Sequence, residues 1–445
     1  MKAGGGGTAG RKSSSRLDMQ KSVEVQVDSD FALLLPGGIY EIKKMEPRPK
    51  IRTIIVFCVI LAISGIIGFG YFCPDQVCAL TKRELANSEV SAALLQSHHA
   101  EKSVHNAVNS NVGLSYEDVL NEDFQFDMDA HDVMVFLHIQ KTGGTSFGKH
   151  LVRDLDLKRP CECQRKRKRC YCFRTHRNEN WLFSRYSTGW KCGLHADWTE
   201  LTSCVDQELD KNEGETAKRR YFYITLLRNP IVRYLSEFRH VQRGATWKSA
   251  RHWCLGRQAT PEELPQCYSG ENWFGVDLDE FAACKSNLAI NRQTRMLSDL
   301  ALVGCYNQSS MTPYERDRIM LASAKRNLAA MSYFGLTEFQ KISQYVFEET
   351  FNLRFAIPFE QHNATVSSST LNNLRPEQRQ KIEDLNALDT ELYSFAKKLL
   401  FQRFERLKDR DVNFETRFNH LGSIAGRNGV TEFNWDGNLE ESNEH

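Results

Sequence analysis

The chain has 445 residues, with 58 Lys and Arg against 56 Asp and Glu, 13 Cys and 41% hydrophobic residues. That is too apolar and too weakly charged for a wholly disordered protein. A formal net charge of +2 argues against a general nucleic-acid binder, while leaving room for a local basic patch that holds a polyanion. The charge is uneven: residues 1–52 carry 10 basic and 6 acidic side chains, or +4, so the remainder is 2 − 4 = −2.

In chain order, residues 1–52 read as a flexible tail. Residues 53–74 then hold no charged side chain, and Ile54, Ile55, Val56, Phe57, Val59, Ile60 and Leu61 open the run. Its 22 residues can cross a bilayer core of about 30 Å as a helix. Glycines at 65, 68 and 70 are compatible with that. A buried core helix is the alternative, disfavoured by the charge at both ends. The run starts too late for a cleaved signal peptide and predicts a retained signal-anchor. Lys43, Lys44, Arg48, Lys50 and Arg52 precede it and Asp75 follows. The positive-inside rule therefore places the N-terminus in the cytosol and the long C-terminal part outside it, a single-pass type II arrangement.

Residues 75–130 are polar and read as a lumenal stem with a short helix near 86–96. Residues 131–411 read as one globular domain, and 412–445 as a flexible tail. Asn307 and Asn363 head Asn-x-Ser/Thr glycosylation sequons. Ten cysteines, at 161, 163, 170, 172, 192, 204, 254, 267, 284 and 305, fall in the globular part. Disulfides suit an oxidising lumen. Zinc is the competing reading of the two C-x-C pairs, but their spacing is not that of common zinc sites, and no metal is expected.

Within the domain, Val133, Met134, Val135, Phe136 and Leu137 form an apolar run of strand length. Lys141, Thr142, Gly143, Gly144, Thr145 and Ser146 follow, then a helical pattern from Phe147 to Asp154. Strand, glycine loop and helix open a parallel α/β unit. A second buried strand spans 221–227, with Pro230 in the first turn of a helix over 231–242. A third strand over 331–336 leads to a helix over 338–351. Pro376 to Asp409 reads as a long amphipathic helix or a helix pair. The fold class predicted is α/β, a P-loop-like parallel sheet flanked by helices.

The glycine loop is not a Walker A sequence, because its Lys precedes the glycines. No Walker B Asp follows a comparable strand, which lowers an NTPase or kinase reading. The physics is still that of an anion cradle: glycines let backbone N–H groups approach closely, and the helix offers its positive end. A plain strand-to-helix turn is the alternative. Arg228 ends the second strand, where open α/β sheets bind ligands, and Ser236 lies eight residues on. A guanidinium and a hydroxyl suit a terminal phosphate.

Together these stretches resemble the PAPS-dependent sulfotransferases, and more narrowly the heparan-sulfate 6-O-sulfotransferases. The resemblance rests on Phe136 to Thr145, Trp181 to Arg185, Cys192 to Trp198 and Leu227 to Phe238, and covers roughly residues 120–410. It implies a Golgi type II membrane enzyme with a lumenal sulfotransferase domain, which moves sulfate from PAPS (3′-phosphoadenylyl sulfate) to the 6-O position of glucosamine in heparan sulfate. It places His138, Ile139, Gln140, Lys141, Thr142, Gly143, Gly144, Thr145 and Ser146 at the cofactor, with Arg228 and Ser236 on its 3′-phosphate. Glu360, Gln361 and His362 complete that pocket. After Thr365 the family pattern has a basic residue where this chain has Val366.

The resemblance points to His195 as the general base and Lys141 as its catalytic partner on the sulfuryl group. Histidine suits the task, since an unperturbed pKa of about 6.5 keeps a neutral fraction in a mildly acidic lumen. By residue pattern alone, a His beside Trp198 reads as a satisfied core histidine, and only the residue-by-residue resemblance reverses that. The acceptor contacts implied are Lys168, Arg169, Arg185, Trp190, His195, His240 and Trp247. Lys168 and Arg169 end a run of five basic residues between the C-x-C pairs, otherwise a solvated loop. Trp190 and Trp247 can pack on sugar rings or belong to the core. The partners expected are heparan sulfate chains and the membrane, with no nucleic acid. A related glycan sulfotransferase with another acceptor position, or a non-catalytic heparan-binding membrane protein, are the rival readings.

Overall fold

The computed structural model describes residue 116 and residues 125–164, 167–214, 217–359, 371 and 373–423. The tail, the apolar run at 53–74 and the expected helix at 86–96 lie outside the described residues. Among the described residues no helix is long and apolar enough to cross a membrane.

The strands are β1 (Asp132–Leu137), β2 (Glu162–Cys163), β3 (Cys170–Tyr171), β4 (Leu182–Phe183), β5 (Arg220–Leu227), β6 (Trp253–Cys254), β7 (Arg257–Gln258) and β8 (Tyr333–Leu336). The helices are α1 (Gly144–Arg153), α2 (Trp198–Glu213), α3 (Pro230–Gln242), α4 (Leu278–Ala283), α5 (Arg292–Leu297), α6 (Pro313–Ala330), α7 (Gln340–Phe351), α8 (Pro376–Leu385), α9 (Ala387–Arg410) and α10 (Phe414–Asn419).

The central sheet runs β4-β1-β5-β8 with every pairing parallel. All six residues of β1 are buried, as a strand covered on both faces requires. The β1–β5 register sets Asp132 opposite Arg220. Their side chains meet in two contacts of 2.6 Å, a bidentate ion pair that pins this register at the strand entrance. The chain leaves β1 for β4 on one side and returns to β5 on the other, so the order reverses at β1. The crevice beyond the carboxyl ends of such strands is where this architecture binds ligands.

The three expected strands and the helices that follow them are present. The two-residue β4 carries too little pattern to be read from sequence. The stretch 376–409 resolves into the pair α8 and α9, broken at Asn386, whose N–H and side-chain amide both donate to the Ile382 carbonyl. The end expected for the stem needs correction. Phe126 is buried edge-on against Trp181, Phe222 and Phe351, because the core claims that ring. The expected loose tail likewise starts with structure: α10 packs Phe414 and Phe418 on Tyr345 and Phe404.

All ten cysteines of the domain form disulfides: Cys161–Cys172, Cys163–Cys170, Cys192–Cys204, Cys254–Cys305 and Cys267–Cys284. Thiolate zinc ligation by the C-x-C pairs is thereby excluded, and no metal-holding cluster of His, Cys, Asp or Glu occurs among the described residues. The first two bridges are successive rungs of the β2–β3 hairpin, whose register pairs Cys163 with Cys170.

Candidate active site

Two loops leave the carboxyl edge of the sheet and face each other. The first is the glycine loop. Lys141 has φ 66° and Gly143 φ 86°, both left-handed, which turns the chain sharply into α1. No side chain caps α1, and its first turn holds no acid. The first N–H groups of this ten-residue helix are left for another acceptor, with the positive end of the helix behind them. Thr145 and Ser146 are exposed at this mouth.

The back of the loop is fixed. Thr142 is buried and donates from Oγ1 to the Ile139 carbonyl at 3.0 Å. Thr337, just past β8, sits with Oγ1 2.5 Å from the Thr142 carbonyl and 3.0 Å from that of Leu227. Ile139 is wholly in the core. Gln140 is buried too, and its Oε1 has no hydrogen-bond partner among the described residues.

Arg228 follows β5 directly and donates from Nη1 to the Lys141 carbonyl at 3.2 Å, tying the two strand ends together. Its main chain is held on both sides by Gln293: Arg228 N–H donates to Oε1 at 2.8 Å and Nε2 donates to its carbonyl at 3.0 Å. Burial lowers the Arg228 pKa, with Glu338 opposing. Ser236 lies half-buried two turns into α3.

The second loop carries His195. The ring is buried, and Nδ1 lies 3.0 Å from the carbonyl of His138 at the end of β1. A carbonyl can only accept, so Nδ1 carries a proton, and in the neutral tautomer that this selects the lone pair is on Nε2. His195 has φ 53°, a conformation that costs a non-glycine residue about 1–3 kcal/mol and clusters at functional sites. The Cys192–Cys204 bridge staples the loop to α2. Immediately after His195, Asp197 and Glu200 close a capping box at the start of α2.

That box is the head of a buried polar network. Glu200 also accepts from the Trp253 N–H at 2.8 Å, and Asp197 Oδ2 accepts from the Tyr306 hydroxyl at 3.2 Å. Burial pushes both acids up, Asp197 to about 6 and Glu200 to about 8, and the Asp197 charge adds to the rise at Glu200. Burial, with Arg295 and Arg292 nearby, pulls His252 down to about 3, so it is neutral.

The expected acceptor residues gather around His195. Its ring centroid is 4.5 Å from Trp190, 4.9 Å from His138 and 6.2 Å from Trp247, which in turn is 5.3 Å from His240. The Arg185 guanidinium lies 5.3 Å from the Trp190 ring, a cation–π contact. The ring of His138 belongs to this cluster, stacked between Phe136 and Trp190. Gly144 makes that stack possible, because a Cβ there would come within 2.4 Å of the His138 ring. The two rungs of disulfide hold the basic hairpin, and Arg169 donates to the Thr188 carbonyl at 3.2 Å, two residues before Trp190. Lys168 is half-buried beside it in sequence. Both tryptophans are half-buried, neither core nor fully exposed.

Glu360, Gln361, His362 and Asn363 lie outside the described residues, as do Arg165 and Lys166. Asn307 is exposed and heads a short turn, with Oδ1 accepting from Ser309 N–H at 2.9 Å. Thr337, Gln293 and Tyr306 support the site without having been read from sequence. Asp197 and Glu200 had a legible signal, the D-x-x-E spacing of a capping box.

The arrangement joins an uncapped helix end to a buried imidazole ringed by aromatic and cationic side chains. Comparison with known proteins agrees. A sulfotransferase family model matches residues 124–396. The chain is 56% identical over 292 residues to heparan-sulfate 6-O-sulfotransferase 3-B of Danio rerio, covering 66% of this chain and 69% of that protein. It is 48% identical over 369 residues to heparan-sulfate 6-O-sulfotransferase 2 of Gallus gallus, covering 82% and 90%. The human heparan-sulfate 6-O-sulfotransferase 1 is 55% identical over 288 residues, covering 64% and 70%.

Proposed function

The chain belongs to the heparan-sulfate 6-O-sulfotransferases, and from that premise we propose that it sulfates the 6-hydroxyl of glucosamine in heparan sulfate with His195 as the general base. The observation that carries the base is the contact of His195 Nδ1 with the His138 carbonyl. In that tautomer Nε2 is the nitrogen with the lone pair to take the proton of the acceptor hydroxyl, and the carbonyl then stabilises the imidazolium that results.

The donor-side residues fit PAPS. The uncapped start of α1 and the exposed hydroxyls of Thr145 and Ser146 offer donors to a polyanionic nucleotide, and the buried, unpartnered Gln140 Oε1 offers an acceptor to one of its N–H or O–H groups. Lys141, Thr142, Gly143 and Gly144 would hold the 5′-phosphosulfate, and Arg228 with Ser236 the 3′-phosphate. PAPS, when bound, supplies an activated sulfuryl group on a phosphate leaving group. Lys141 contributes fixed positive charge beside it, in a site already desolvated by the aromatic cluster. Lys168, Arg169 and Arg185 meet acceptor sulfates and carboxylates, while Trp190, Trp247 and His240 orient the sugar.

The compartment belongs to the same proposal: a Golgi, single-pass type II protein with the catalytic domain in the lumen. It is supported by the apolar run at 53–74 with basic residues before it, by five disulfides and by an exposed Asn307.

The test is incubation of the full chain with PAPS and 6-O-desulfated heparan, followed by disaccharide analysis. A new 6-O-sulfated disaccharide is expected, and its absence would sink the assignment. His195→Ala should lower turnover by about 10²–10⁴-fold while nucleotide affinity holds, and Arg228→Ala should weaken nucleotide affinity. Normal turnover in His195→Ala would move the base elsewhere.

A further inference from the structure

A cavity of about 290 Å³ opens on the far end of α3, walled by Trp247, Lys248, Arg251, His252, Tyr268 and Trp273 among others. The mechanism above uses only one of these, Trp247, and that residue is shared: it lines the cavity and lies 6.2 Å from the His195 ring. The cavity therefore begins where the acceptor site ends. The Cys254–Cys305 and Cys267–Cys284 bridges hold its walls in shape.

Its charge has one sign. Glu237 is the sole carboxylate among the described lining residues, and it is consumed by Arg233 at 2.5 Å and Arg292 at 2.5 Å. Two guanidiniums on one carboxylate leave a net positive charge behind the wall. Burial alone would raise the Glu237 pKa, but Arg292 and Arg233 outweigh it and hold it near 2. His252 is neutral. Lys248 stands 4.4 Å from the Tyr268 ring centroid, and its ammonium touches the Gly270 carbonyl. Arg251 is exposed and makes no hydrogen bond or ion pair with the described residues. Trp247 Nε1 is buried and has no partner among them either.

Aromatic faces, an unspent guanidinium, a nearby ammonium and an unpartnered donor, without an uncompensated negative charge, make a site for an anionic sugar. We propose that this cavity is a second acceptor subsite, which takes a carboxylate- or sulfate-bearing sugar flanking the glucosamine at His195 on the same glycan chain. Arg251 and Lys248 meet its anionic group, and Trp247 separates it from the reacting sugar. The proposal rests on the heparan-sulfate reading above and adds to it a preference for longer, charged acceptors.

The experiment titrates the full chain, by calorimetry, with N-sulfated, 6-O-desulfated heparan oligosaccharides of graded length, and measures KM on the same set. For Arg251→Ala the ratio of mutant to wild-type Kd should grow with length and reach about tenfold, the size of one lost charge-assisted contact. Arg251→Lys should recover most of that, and rising salt should erase the wild-type advantage of long acceptors. Arg251→Ala binding every length as wild type does, or losing affinity equally at all lengths, overturns the subsite. Length-dependent binding that depends on Arg251, without any 6-O-sulfated product, would retain the subsite and reject the activity instead.

Discussion

The two helix starts at the site, α1 and α2, are built from the same local move and put to opposite uses. Each follows a residue in the left-handed region, Gly143 at φ 86° and His195 at φ 53°. Each points the positive end of a helix toward the crevice. At α1 no side chain answers the first N–H groups and no acid lies in the first turn. At α2 the carboxylate of Asp197 answers them, and Glu200 closes the box from the other side. An open end is a receptor for an anion that arrives from outside. A closed end is a mounting, and what it mounts is the His195 loop two residues upstream. Helix α3 repeats the closed form: Asn229 Oδ1 accepts from the N–H groups of Ile231 and Val232 and so fixes the residue after Arg228.

The comparison breaks most visibly if α1 is given a cap of its own. Thr145→Asp places a carboxylate at the open mouth. It should stabilise the helix end by about 0.5 kcal/mol, yet weaken adenosine 3′,5′-bisphosphate at least about a hundredfold by like-charge opposition. Calorimetric titration together with a melting curve reads both, and unchanged nucleotide affinity would mean that the anion is held elsewhere. The opposite operation opens α2. Asp197→Ala should cost about 1 kcal/mol in stability and about tenfold in kcat as His195 loosens, with nucleotide affinity preserved. Asp197→Asn, which can still cap, should restore most of the stability. Equal losses in kcat and in nucleotide binding would show that the two ends are not separable.

The smallest effect sharpens the electrostatics. Burial and the Asp197 charge raise Glu200 from 4.5 to about 8. A carboxyl raised in the folded state contributes stability that is fully present below its unfolded pKa and is lost as pH rises through the folded one. Stability tied to this pair should therefore decline as pH rises from 4.5 through about 8. Glu200→Gln, a side chain also found at this position of capping boxes, should flatten that part of the profile of denaturant midpoint against pH. A slope identical to wild type would show that Glu200 is ionised throughout.

The parts of this site that are contiguous were legible in the sequence. Residues 141–146 announce the uncapped strand-to-helix turn because glycines, hydroxyls and a helix start stand side by side. Arg228 is legible because a strand end followed by Asn and Pro is a local pattern. The basic run between the C-x-C pairs was visible for the same reason, and its placement beside Trp190 was not. That depends on the β2–β3 rungs and on a contact between Arg169 and Thr188, 19 residues away. Thr337 stayed hidden because it acts 195 residues from its partner Thr142. The polarity of the Trp247 cavity was equally invisible, since composition counts Glu237 as a negative charge and only packing shows it spent on two arginines.

By itself the sequence determined the chemistry on offer: glycines and hydroxyls at a helix start, a candidate base, cations and aromatics, and the cysteines of five disulfides. Those are properties of side chains and of short stretches, and they survive without a fold. The tertiary structure alone decided which nitrogen of His195 carries the proton. The ring and the His138 carbonyl are 57 residues apart, and they meet because β1 ends in the crevice where the strand order reverses, opposite the staple that holds the His195 loop to α2.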